Sequence, residues 1–257
     1  MEQRFLFNQV AGLYDHARSG YPLALFDDVT EVAGLSAGDR MLEVGCGTGK
    51  ATEGFAAKGL DILALDPGGE MIAAARRRLG AYAKARFVET TFEAWPVERS
   101  VFKLIAAAQS WHWIAPDIRF VKAAEALASG GWLAVFGSAP LGVPSPLNEA
   151  LNAIYLRIAP ELGGRPPEHS YLPDGPFAAY FTQSDLFGPV RHIAYAWLRR
   201  FTAQGYVEYL ASLSRYQLLE ASLREALLAW IGEAIEAHGG EFDLPHETHL
   251  YMAAKLS

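Results

Sequence analysis

The stretch Glu43-Val44-Gly45-Cys46-Gly47-Thr48-Gly49 sets three alternating glycines just behind an acidic residue. Such glycines let backbone N–H groups approach a ligand closely and accept positive φ. A helix opening immediately afterwards would present free N–H groups to an anionic or polar group. A P-loop would need a glycine at position 44 and Ser or Thr at 51, where Val44 and Ala51 stand. A dinucleotide loop would put its third glycine at position 50, which is Lys50. Asp66 follows Gly45 by twenty-one positions and closes the next apolar run. A carboxylate there can accept hydrogen bonds from both hydroxyls of a ribose; its alternative is to open the Pro67-Gly68 turn.

The second constellation is Gln109-Ser110-Trp111-His112-Trp113, which follows the small residues Ala106, Ala107 and Ala108. His112 is the candidate general base, since its reference pKa of about 6.5 suits proton transfer near neutrality. Its alternative is to shape a pocket between two indoles. Trp111 and Trp113 offer faces that attract cations, or ordinary core packing. His246 and His249 stand three apart in a strand-like stretch and so face opposite ways; no metal site is expected. Cys46, the single cysteine, reads as a small buried residue rather than a nucleophile. The run Arg76 to Arg78 reads as a solvated helix end.

These residues need a scaffold. Apolar runs at 41–44, 60–65, 86–89, 101–108 and 132–136 read as strands, and 50–58, 70–79 and 117–128 as helices, the last closed by Gly130-Gly131. Such alternation is the pattern of a parallel sheet covered on both faces. Upstream, Leu23, Phe26 and Thr30 suit one helical face. Between 139 and 190 stand nine prolines, with one helix expected at 147–158. Strands at 192–201 and 247–255 bring the expected total to seven. Between them Tyr206, Tyr209, Leu210 and Leu213, then Leu219 to Ile235, recur at helical spacing. The proline-rich stretch and this helix pair look like a lid over the sheet's carboxyl edge, where ligands of open α/β sheets bind. Tyr206 and Tyr209, with Arg157 or Arg215, are expected on its acceptor side.

Glu-x-Gly-x-Gly-x-Gly resembles the first motif of the class I S-adenosylmethionine (SAM)-dependent methyltransferases. The Gln109–Trp113 segment resembles the methyltransferase type 11 group, near trans-aconitate methyltransferase-like enzymes, as do Leu13–Pro22 and Thr248–Ala253. The resemblance implies a Rossmann-like α/β fold: a mostly parallel seven-stranded sheet with helices on both faces and a helical lid. The chain would be one domain over 1–257, with an N-terminal helical cap at 1–35 and lid elements at 139–190 and 203–238. SAM would be held by Glu43, Gly45, Gly47, Asp66, Met71, Phe92, Gln109 and Tyr14. The acceptor would meet Arg18, Tyr21, Trp111 and Trp113, with His112 as the catalytic candidate. Lys103, and Ser129 before Gly130-Gly131, depart from the group's pattern.

Composition narrows the partner. The 257 residues carry a net charge of −7 and a pI near 5.5, which disfavours a phosphate-backbone binder. The Asp/Asn/Ser-Pro-Pro-aromatic motif of nucleic-acid amine methyltransferases is replaced by Gln109-Ser110-Trp111-His112. A small-molecule acceptor is expected, with no nucleic acid, no membrane, and a monomer or homodimer. One cysteine and the lack of an N-terminal apolar run suggest a cytoplasmic protein. Positioning alone can supply about 7–11 kcal/mol to a transfer reaction, and a carboxylate acceptor is already ionised at neutral pH. An organic acid is therefore the favoured acceptor. The fold alone leaves open a non-enzymatic SAM sensor.

Overall fold

The computed structural model describes residues 19–162, 167–182 and 184–256. Tyr14 and Arg18 lie outside them. Helix α1 (Leu23–Val32) precedes β1 (Arg40–Val44), α2 (Lys50–Ala57), β2 (Asp61–Asp66), α3 (Gly69–Arg78) and β3 (Ala85–Glu89). Then come β4 (Phe102–Ala108), a 3-10 turn at Trp111–Trp113, α4 (Pro116–Ala126) and β5 (Leu127–Pro140). Helix α5 (Ser145–Ile158), 3-10 turns at Pro160–Leu162 and Pro167–Tyr171, helix α6 (Pro176–Thr182), strand β6 (Arg191–Thr202), helices α7 (Ala203–Ala211), α8 (Ser214–Gln217) and α9 (Ala221–Ala237), and β7 (Glu241–Ala254) complete the described elements. The seven strands form one sheet in the order β3-β2-β1-β4-β5-β7-β6. It is mostly parallel with one antiparallel hairpin, and the pairings from β3 through β5 are all parallel.

The chain groups into two compact units. The first comprises residues 20–138, 170–195 and those from 248 onward; the second holds 139–169 and 196–247. In the first, strand periodicity splits the core. Leu42, Val44, Ile105 and Ala107 enter one cluster, while Met41, Leu104 and Ala106 enter another, as alternation along a pleated strand demands. β4 is buried except at its last residue, Ala108, and at Lys103, which pairs with Asp39 at 2.8 Å. That ion pair explains the departure at this position. In the second unit, α9 packs against α5 and α7, burying Leu151, Tyr206, Tyr209, Leu227 and Ile231.

Some boundaries differ from the sequence reading. The buried face of α1 is Leu25, Phe26 and Val29, whereas Leu23 is exposed. Strand β5 starts at Leu127, inside the expected helix, because Leu127 pairs with Phe102 across a register irregularity. Strand β7 starts at Glu241: Phe242, Leu244 and His246 alternate inward behind polar neighbours. No helix among the described residues is long and apolar enough to cross a membrane.

Candidate active site

Strand β1 runs into the glycine loop and α2 leaves it. Gly45, Gly47 and Gly49 all hold positive φ, at 71°, 55° and 85°, but for different reasons. A Cβ on Gly45 would stand 2.4 Å from Ser110 Cβ, and one on Gly49 would stand 2.5 Å from Leu79 Cδ1. These two glycines admit neighbouring protein. At Gly47 a Cβ would meet no heavy atom of the described residues within 4 Å, so among them this glycine opens onto free space. Arg78 fastens the loop from α3. Its Nε donates to Thr48 O at 3.2 Å and its Nη1 pairs with Glu53 at 3.1 Å. The arginine run therefore does more than solvate a helix end.

Two carboxylates back the loop. Asp66, at the end of β2, accepts from Gly47 N at 2.9 Å and from Gly68 N at 2.8 Å. Each carboxylate oxygen keeps further lone-pair capacity. Burial raises the Asp66 pKa against the pull of those two N–H groups. Glu43 is fully buried, and neither carboxylate oxygen has a hydrogen-bond partner in standard geometry. Burial pushes its pKa up to about 8; the nearby Thr52 hydroxyl pulls the other way and the Asp66 charge adds to the rise. The Thr48 and Thr52 hydroxyls are likewise buried without partners. Cys46 is buried, and burial with both nearby carboxylates raises its thiol well above the usual value. A buried thiol held protonated lacks the thiolate that a nucleophile needs.

The β4 end brings together several expected residues. Gln109 holds φ at 53°. Its backbone N–H donates to Phe136 O at 2.8 Å, its Nε2 donates to Ser138 O at 3.4 Å, and its Oε1 accepts from Tyr21 Oη at 3.1 Å. The Tyr21 ring meets Phe136 edge-on at 4.9 Å. Ser110 Oγ donates to Val44 O, tying β4 to the loop. Trp111 is wholly buried between Phe92 and Phe120, its Nε1 without a partner. Phe92 stacks on Trp95, and Met71 is buried at the start of α3. His112 is exposed. Its Nδ1 lies 3.3 Å from Tyr171 Oη, and its ring centroid lies 4.6 Å from that of Trp113. Tyr171 is itself fixed, with its carbonyl accepting from Tyr251 Oη at 2.8 Å.

In the second unit Tyr206, Tyr209 and Arg215 line one cavity of about 210 Å³. Arg157 is not among its walls; it lies over the Trp230 ring at 3.6 Å. Of the two expected arginines, the structure brings Arg215 to the tyrosines. His246 stacks on Trp197 and His249 pairs with His192 at 2.8 Å. No group of residues able to hold a metal occurs among the described residues. Sequence reasoning missed Arg78, Tyr171 and Thr52. Thr52 lies on the α2 face that buries Ala51 and Phe55, so helical spacing could have flagged it.

Residues 41–131, from β1 into β5, match the methyltransferase domain family. An uncharacterized methyltransferase of Mycobacterium tuberculosis is 27% identical over 233 residues, covering 90% of this chain and 86% of its own. A protein of Anaeromyxobacter dehalogenans described as a type II methyltransferase superposes with a TM-score of 0.69 at 21% identity, over 93% of this chain and 97% of that one. Phosphoethanolamine N-methyltransferase 2 of Haemonchus contortus, solved with S-adenosylhomocysteine, gives 0.54 at 14% identity, over 97% of this chain and 58% of that one. The fold is thus the Rossmann-like α/β fold of the methyltransferases.

Proposed function

We propose that this chain, which is a SAM-dependent methyltransferase, transfers the methyl group to a small organic acid. Three features fit the cofactor: the free space before Gly47, the lone-pair capacity of Asp66, and the unpartnered Glu43 carboxylate. Asp66 would take the ribose hydroxyls, and Glu43 would take the ammonium of the amino-acid end. Met71 and Phe92 would lie toward the adenine, and Gln109, held by Tyr21, would frame the β4 side. Bound SAM supplies an electrophilic methyl group on a sulfonium. The chain's own task is to align the acceptor and exclude water.

The acid reading is carried by one observation, the pairing of His112 Nδ1 with the Tyr171 phenol. That hydroxyl orients the ring through Nδ1 and brings no negative charge to it. An ionised carboxylate acceptor needs no base, whereas an amine or alcohol does. Trp113 and Tyr21 would border the acceptor, and Trp111 would support them from the core. Arg18 would contribute a cation from outside the described residues.

The test is to incubate the protein with methyl-labelled SAM and a panel of small carboxylic acids, then treat the products with alkali. Methyl esters release labelled methanol, whereas N-methyl and ether products keep the label. Alkali-labile label supports the acid acceptor. Label retained on an alcohol or amine, with none from any acid, overturns it.

A further inference from the structure

The cavity of the second unit is walled by the loop after β5, by α5, α7 and α8, and by Leu244 of β7. At about 210 Å³ it is smaller than most ligand clefts, which run about 300–1,000 Å³. Leu151, Leu210 and Leu213 give it an apolar body. Against these stands Arg215, presented by the short helix α8. Its Nε is buried and has no hydrogen-bond partner, and it has no ion pair among the described residues. Its guanidinium carbon lies 5.4 Å from the Tyr216 ring centroid. Arg215 as a whole is half-buried, and its planar fork matches a carboxylate.

Hydroxyl groups converge near the same cation. Tyr155 Oη and Tyr216 Oη share a hydrogen bond at 2.5 Å. Tyr206 makes ring contacts with Phe201, Tyr209 and Phe242, while its hydroxyl bonds no described residue. Arg215 acts electrostatically on Tyr155, Tyr206 and Tyr216 alike. Glu168 also lines the cavity and is its one acidic side chain among the described residues. A ligand with two carboxylates would bring one toward Glu168.

We propose that this cavity binds a small monocarboxylic acid with an apolar body, its carboxylate held by Arg215 and its neighbouring tyrosine hydroxyls. This deepens the acid-acceptor reading, and the experiment separates the two. Calorimetry on the full chain would use phenylacetate, benzoate and hexanoate as probes, with phenylacetamide and phenylsuccinate as controls. At least one monoacid should bind. Phenylacetamide should bind more weakly than phenylacetate, and phenylsuccinate should gain affinity in Glu168→Gln. Arg215→Gln should weaken the monoacid about tenfold or more, as expected for a lost charge-assisted hydrogen bond. Tyr206→Phe, which removes only an unbonded hydroxyl, should weaken it about threefold or more without lowering the thermal midpoint. Binding that Arg215→Gln and Tyr206→Phe leave unchanged, or no binding by any of the three acids, overturns the proposal. If an acid binds through Arg215 yet no acid yields alkali-labile product, the cavity assignment stands and the acceptor reading falls. If esters form with the same KM in Arg215→Gln, the acceptor reading stands and the cavity assignment falls.

Discussion

Glu43 offers a thermodynamic test that needs no substrate. Its carboxyl is fully buried, and burial pushes its pKa up to about 8 against an ordinary value of 4.5. At pH 7 the folded chain therefore keeps Glu43 protonated while the unfolded chain ionises it. A carboxyl whose folded pKa is raised contributes stability that is full below the unfolded value and lost as pH rises through the folded one. The window runs from about pH 4.5 to about 8. Each pH unit inside it changes stability by about 1.4 kcal/mol. Glu43→Gln keeps the shape and removes the titration. The stability of the variant relative to the native chain should rise by about 2–3 kcal/mol from pH 5 to pH 7. Urea unfolding of both proteins without ligand, at pH 5, 6, 7 and 8, measures that gap. Asp66, whose pKa is raised in the same direction, is common to both proteins and cancels to first order. A gap constant across this range would refute the reasoning. If the ammonium of SAM then ionises Glu43, native binding at pH 7 should release close to one proton, read by calorimetry in buffers of different ionisation enthalpy. Glu43→Gln should release none.

Three further outcomes follow from the site. Asp66→Asn should weaken SAM binding by about 1–3 kcal/mol through lost acceptor capacity toward the ribose, read by calorimetry. Gly45→Ala should destabilise the fold by about 1–3 kcal/mol, since its Cβ would stand 2.4 Å from Ser110 Cβ; Ser110→Gly should restore part of the loss in thermal unfolding. With an acid acceptor, His112→Ala should leave kcat within a few-fold of native. A fall of about 10²-fold or more in steady-state kinetics would mark a general base.

Much of the sheet was legible because buried parallel strands read as near-continuous apolar runs, and β1, β2 and β4 are such runs, interrupted inside only by Glu43 and Lys103. The glycine loop was legible from spacing alone, although spacing could not separate Gly45 and Gly49, which admit protein, from Gly47, which faces free space. The start of β5 was hidden because Ser129-Gly130-Gly131 carries turn chemistry, and pairing with β4 overrides it. The first half of β7 does alternate, with Phe242, Leu244 and His246 inward, and was hidden because Pro245 reads as a strand breaker. Arg78 and Tyr171 act through partners 25 or more positions away, and no local pattern encodes such contacts. Arg157 and Arg215 looked equivalent in sequence; tertiary packing turned one onto Trp230 and the other to the cavity.

The central claim is that the space before Gly47 receives the cofactor. Its most direct test is a calorimetric titration of S-adenosylhomocysteine into the native chain and Gly47→Val side by side. A Cβ at Gly47 would meet no atom of the described residues within 4 Å, so the variant should fold, with only the strain of a positive φ. The native chain should bind S-adenosylhomocysteine and folded Gly47→Val should not. Equal affinity in the two proteins would contradict the account.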